Sequence, residues 1–241
     1  MRLRITFSKS GSLRYTGHLD LQATWERTIR RAGLPLAYTQ GFHPGPRIQI
    51  ASALPLGFIG HAEIVDIWLQ EVGAGLVPAQ GNDKSQGDHE GRPYAEVLQP
   101  AAPPGLGIVS VEQVDENGPA LQTQVLSAEY VVTLLDPVDE VELAKHIAET
   151  LKAESLPRER RGKSYNLRVL IESLSLAPSP LPPSPLGRGD GGEGNRVRVL
   201  MRLAAREGAT GRPEEVLDVL GIPFDMTRIE RVRLILKDDI Q

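Results

Sequence analysis

Apolar residues along this chain change spacing from every second position to helical spacing and back, twice over. That rhythm constrains the fold more than any other feature. Leu3, Ile5 and Phe7 alternate with Arg2, Arg4 and Thr6, as in a strand buried on one face. Ser10-Gly11-Ser12 turns the chain, and residues 13–15 either continue the strand or begin a loop. Over residues 18–32 the period becomes helical: Leu21, Trp25, Ile29 and Ala32 share a face, while Glu26, Arg27, Arg30 and Arg31 fall mostly on others. Gly33 and Pro35 form a helix stop. Ile48 and Ile50 mark a second strand and residues 63–69 a third. A short apolar stretch at 94–98 reads as the remnant of a damaged or displaced second helix, and residues 108–114 as a fourth strand.

The second half repeats the order. Strands are expected at 128–135, 167–176, 197–204 and 229–236. A helix at 139–153 carries Val141, Ala144, Ile147, Ala148 and Leu151 at helical spacing, and another at 212–220 begins near Pro213 and ends at Gly221. The expected fold is α+β, built from tandem β-α-β-β-α-β (ferredoxin-like) units over residues 1–120 and 121–241. Two stretches break the rhythm: the Gly-rich, polar residues 72–94, and the low-complexity residues 178–195. Both are expected to be disordered loop insertions, which a fold tolerates because loop-closure entropy grows slowly with length.

Composition narrows the chemistry. There are no cysteines, which removes disulfides, thiolate zinc sites, iron–sulfur ligation and a Cys nucleophile. Basic and alternating residues at the N-terminus do not resemble a signal peptide, and no apolar run reaches the roughly 20 residues of a membrane helix. The expectation is a cytoplasmic protein without a membrane partner. Net charge is −4, but it is unevenly spread. Residues 1–60 hold eight basic against two acidic side chains, 61–155 four against seventeen, and 156–241 fifteen against twelve. Local positive charge is what a polyanion-binding face needs, although basic and acidic segments of one fold also pair with each other.

The candidate residues cluster in the basic first sixty. Arg30 and Arg31 close the first helix, where they complement its dipole. With Arg14, Arg27 and Arg47 they are candidates for one phosphate-binding cluster. Residues 41–47 read Gly-Phe-His-Pro-Gly-Pro-Arg, a rigid loop in which Phe42 is expected to act as anchor, with His43 and Arg47 facing a ligand. His18, beside Tyr15 and Arg14, and His43 are the candidate proton-transfer groups. A second basic run, 158–168, adds Tyr165 as a stacking aromatic, compatible with RNA. No metal site is expected: His18-x-Asp20 puts its two groups on different faces of a helix, and His61-x-Glu63, which would share a face on a strand, lacks a third ligand. Nucleotide-loop, nucleophile-elbow and zincin motifs are absent, and no cofactor is expected.

These residues also carry a resemblance. Arg14-Tyr-x-x-His-Leu-Asp20, Glu26-Arg-x-x-Arg-Arg-Ala-Gly-Leu-Pro35, Tyr38-x-Gln-Gly-Phe-x-Pro44, Leu54-Pro-Leu-Gly57 and Ala62-Glu-x-x-Asp-Ile67 resemble the radical SAM-linked proteins, a bacterial domain of unknown function. Fainter matches follow at 160–171 and at Gly211-Arg-Pro-Glu-Glu, so the likeness covers most of the chain outside the two inserts. The chain departs from that pattern at Gly17, where the family has a helix-capping Ser, and at Asn166, where it has Asp. The resemblance implies a partner: such proteins are fused to, or encoded beside, a radical SAM enzyme with a cobalamin-type region, often near ribonuclease E/G. Without Cys-x-x-x-Cys-x-x-Cys this chain cannot hold the cluster that radical SAM chemistry requires.

The leading expectation is a non-catalytic accessory or substrate-recognition subunit, binding RNA or another phosphate-bearing substrate for a radical SAM partner. One rival is a metal-free endoribonuclease-like enzyme using His18 or His43 as acid/base and Arg30 or Arg31 as phosphate clamp, by fold-level analogy. Another is a purely structural partner subunit.

Overall fold

A computed structural model describes residues 1–70, 92–177 and 196–240. The two expected insertions therefore lie outside the described residues, apart from positions 92–94. The chain divides into two compact units, Met1–Val125 with Leu236–Gln241, and Leu126–Ile235. Among the described residues no helix is long and apolar enough to cross a membrane.

In the first unit the order is β1 (Arg2–Lys9), a 3-10 turn (Gly11–Tyr15), α1 (His18–Arg31), β2 (Ile48–Ile50), β3 (Ile59–Trp68), α2 (Arg92–Ala101), β4 (Leu106–Val114) and the short α3 (Leu121–Gln124). The strands lie in the order β2-β3-β1-β4, each neighbour antiparallel. Leu3, Ile5 and Phe7 of β1 meet Trp25 and Ile29 of α1 and Tyr94 and Leu98 of α2 in one core. Phe7 and Trp25 meet edge-on, their rings 5.0 Å apart. One open alternative closes here and one expectation changes. Residues 13–15 belong to the 3-10 turn rather than to a strand, and the second helix is a full ten-residue element with Tyr94 and Leu98 buried. Positions 92–94 begin that helix, so they are not part of the insertion.

The polar face of β1 is also buried, which alternation alone does not reveal. Arg4 lies directly opposite Asp66 in the β1–β3 ladder, and Arg2 opposite Trp68. Asp66, with 0% of its surface exposed, accepts hydrogen bonds from Arg2 Nε and Arg4 Nε at 3.0 Å and from Arg4 Nη2 at 3.1 Å. Arg2 spends its other donors on the carbonyls of Gly118 and Pro119, both at 3.0 Å, which fastens the chain leading into α3 over this face. Gln124 of α3 accepts from Arg4 at 3.4 Å. Burial pulls the Arg4 guanidinium down, but Asp66, Glu112 and Asp238 outweigh it and hold it above its ordinary value.

The second unit runs β5 (Val125–Leu134), α4 (Glu140–Lys152), β6 (Pro157–Arg160), β7 (Lys163–Asn166), β8 (Ile171–Leu176), β9 (Arg198–Arg206), β10 (Ala209–Thr210), α5 (Pro213–Val219) and β11 (Thr227–Leu236). Its sheet order is β8-β9-β5-β11, with β10 added to β9. Asp139 caps α4, its side chain accepting from Val141 N at 2.9 Å and Glu142 N at 3.2 Å. The buried face of α4 is Leu143, Ile147 and Thr150, whereas Val141 is 81% exposed. The expected stripe through Val141, Ala144 and Ala148 therefore points outward; i, i+4, i+7 from Leu143 is the face that packs. The expected strand at 167–176 is shorter, and before it stands a separate two-stranded hairpin, β6–β7, that the sequence reading does not anticipate.

Candidate functional site

The segment between α1 and β2 is held as a paired stem with an open tip. Gly33, with φ +70°, ends α1, and Leu34 N donates to Ile29 O at 3.2 Å. Beyond it, Ala37 N bonds to Trp68 O, Arg47 N to Ala37 O and Thr39 N to Gly45 O, at 2.8 to 2.9 Å. Gly45 N donates to Thr39 Oγ1 at 3.0 Å. These bonds fix residues 36–39 against 45–47 and leave Gln40 to Pro44 projecting, all exposed. Phe42 sits on that tip with 103% exposure. The expectation that it anchors the loop is wrong; backbone bonds and Thr39 anchor the loop, and the ring is presented to the outside.

Two arginines attach to this stem. Arg47 is half-buried, its guanidinium 4.7 Å above the Trp68 ring, and Trp68 is also within 4.8 Å of Arg2. A recess of 180 Å³ opens beside them, lined by Thr39, Pro46, Arg47, Ile48, Gln49 and Trp68. That is below the roughly 300 Å³ at which small-molecule pockets begin, so it suits a single charged group of a larger ligand. Arg30 joins through Glu26: Tyr38 Oη donates to Glu26 Oε1 at 3.1 Å, and Arg30 Nη1 lies 3.8 Å from the same oxygen. Arg27 and Arg31 are exposed on the same helix.

The expected cluster is thus divided. From His18 to Arg31 the helix rises roughly 20 Å. Arg14, in the turn before α1, belongs to the far end with exposed His18. There Arg14 Nη2 donates to Tyr15 Oη at 2.6 Å, and its carbonyl accepts from Gly57 N at 2.9 Å. Arg30, Arg31, Arg47, Phe42 and His43 lie at the C-terminal end of α1 or on the loop that follows it. Among the described residues neither the His18 nor the His43 side chain makes a hydrogen bond or ion pair. Trp68 and Asp66 are the positions the sequence reading passed over. The available signal was an acid and a tryptophan inside the otherwise aliphatic run 64–69, in step with Arg4 and Arg2.

In the second unit most of the basic run is occupied internally. Arg158 pairs with Asp218 and Arg160 with Glu215, each at 2.7 Å, and Arg168 donates to Leu151 O at 2.8 and 3.0 Å. Tyr165 lies under Arg160, whose guanidinium is 5.0 Å from the ring centroid and takes up one of its faces. A recess of 430 Å³ lies between the ends of α4 and α5, lined by His146, Glu149, Leu156 and Leu220 among others, and holds none of the candidate residues. Asn166, where the resembled family has Asp, accepts from Leu156 N at 2.9 Å and Arg168 N at 3.0 Å and so closes the base of the hairpin.

No curated protein matches the chain. The family model described as "Uncharacterized protein conserved in bacteria (DUF2344)" matches residues 2–213, which include every candidate residue above. Since that match spans most of its length, the chain belongs to this uncharacterised bacterial family.

Proposed function

We propose that this protein is a non-catalytic RNA-recognition subunit that serves a separate radical SAM enzyme in the cytoplasm, and that each unit is ferredoxin-like. The sheet orders β2-β3-β1-β4 and β8-β9-β5-β11, each with two helices between its strands, support the fold assignment. The observation that carries the function is the 36–47 stem: a fully exposed Phe42 at a fixed tip, with Arg47 laid on Trp68 at its base and Arg30 and Arg31 at the adjoining helix end. An outward aromatic ring among cations is the arrangement that stacks on unpaired bases while holding the phosphates that link them. The radical SAM partner rests on the sequence resemblance alone.

The test is fluorescence anisotropy of the full chain with a labelled single-stranded RNA. Binding is expected to weaken steeply between about 50 and 200 mM salt. Phe42→Ala is expected to weaken it by about 1–3 kcal/mol, the usual worth of one base stack, and Arg30→Glu with Arg31→Glu further. No binding at the lower salt overturns the proposal. Co-purification of a radical SAM protein from a bacterial lysate, retained by the Arg30/Arg31 variant, is the expected result for the partner.

A further inference from the structure

We propose that the tip of the β6–β7 hairpin, Arg161 with Lys163, is a second contact for the RNA phosphate backbone. This rests on the RNA reading above but on a different part of the molecule. The hairpin forms its own two-stranded sheet, and its base is fixed from both sides. Arg158 and Arg160 bind Asp218 and Glu215 of α5, Arg160 Nη1 also reaches Thr210 O at 3.2 Å, and Arg168 holds the C-terminal end of α4. What those contacts hold out is the tip. The Arg161 and Lys163 side chains are exposed and make no hydrogen bond or ion pair among the described residues.

The backbone at the tip singles out Arg161. Arg160 pairs with Lys163, so Arg161 and Gly162 form a two-residue loop. Their φ angles are +53° and +73°, as in the turn that suits a twisted hairpin. Glycine takes that conformation freely, and Asn-Gly is the favoured pair; arginine is a poor choice on backbone grounds. Among the described residues Arg161 is the non-glycine residue with positive φ. A side chain placed where the backbone disfavours it points to what its end group does, and here that group is an unpaired guanidinium at the end of a narrow two-stranded ribbon. A guanidinium fork with an ammonium beside it matches successive phosphates.

The test compares the full wild-type chain with Arg161→Asn and with Arg161→Asn/Lys163→Gln, using the same labelled single-stranded RNA across about 50 to 200 mM salt. Because Asn-Gly is the better turn, Arg161→Asn is expected to raise or leave unchanged the melting temperature, so weaker binding cannot be ascribed to unfolding. The double variant is expected to lose about 1.4 from the slope of log K against log salt, two contacts of about 0.7 each. If wild type binds RNA and the double variant keeps its slope, the hairpin contact is overturned and the RNA reading stands. If wild type binds no RNA, both are overturned. If an acidic peptide rather than RNA is bound through Arg161 and Lys163, the phosphate assignment is overturned.

Discussion

Asp66 shows how much one side chain organises in this fold. A carboxylate removed from water is costly unless its oxygens are filled, and here two guanidiniums fill them while tying β1 to β3 and to the chain before α3. Asp66→Asn removes the carboxylate that both Arg2 and Arg4 bind and supplies one acceptor oxygen in place of two. A loss of about 3–5 kcal/mol is expected, the usual cost of breaking a buried ion pair from one side. Urea denaturation followed by circular dichroism checks this, as a lower midpoint with an unchanged slope. The pairing was only half legible in the sequence. Arg2 and Arg4 stand in alternation with the core residues, but alternation says which face they occupy, not whether that face is covered. The cover comes from residues 115–124, more than a hundred positions away, through hydrogen bonds that no local pattern announces. Phe42 fails in the opposite sense. Its residue type argues for burial, and only the Thr39–Gly45 and Ala37–Arg47 bonds reveal a loop already closed without it.

An element is legible in the sequence where a single period runs long enough. α1, β1, β9 and β11 fall where the spacing puts them, because each buries a continuous face. β6–β7 is illegible for the opposite reason: its strands are four residues each with four of the eight side chains charged, so no hydrophobic stripe marks them, and ion pairs to α5 hold β6. α4 was found but turned, since Ala and Val at several positions make two overlapping apolar stripes and only packing chooses Leu143 and Ile147. The β8–β9 pair gives an element-scale prediction. Their ladder runs to Leu176 opposite Val199, and Ala177 N bonds to Arg198 O at 2.8 Å, so the two ends of segment 178–195 are already joined by main-chain bonds. Replacing 178–195 by a short Gly-containing turn is expected to leave the fold intact and to change stability by no more than about 1 kcal/mol, because closure entropy depends only logarithmically on length. A cooperative thermal transition near that of wild type checks it; loss of the transition would show that the segment is needed for the fold.

For the whole molecule the question is whether a chain of net charge −4 binds a polyanion through local charge. Part of the excess in residues 1–60 is buried inside the fold: Arg2 and Arg4 face Asp66, and Lys9, also buried, donates to Thr16 O at 2.7 Å. Exposed positive charge remains at the α1 end with its loop and, in the second unit, at the hairpin tip and at Arg196, Arg206 and Arg212. Salt dependence separates the two pictures, because its slope counts the phosphates neutralised at the interface and is insensitive to charges that touch none. Glu140 and Glu142 are exposed in the first turn of α4 and provide the comparison. Helix α4 rises roughly 18 Å from Glu140 to Lys152, and the hairpin is attached at its far end through Arg168. At 0.15 M salt, fields fall off over about 8 Å, so neither acid is felt at the tip. Glu140→Gln/Glu142→Gln halves the net negative charge yet is expected to leave the slope of log K against log salt unchanged and to alter RNA affinity by less than about twofold at that salt. Anisotropy titrations across the salt series decide it: a slope that steepens by one or more would mean that the total charge, and not the two basic surfaces, governs association.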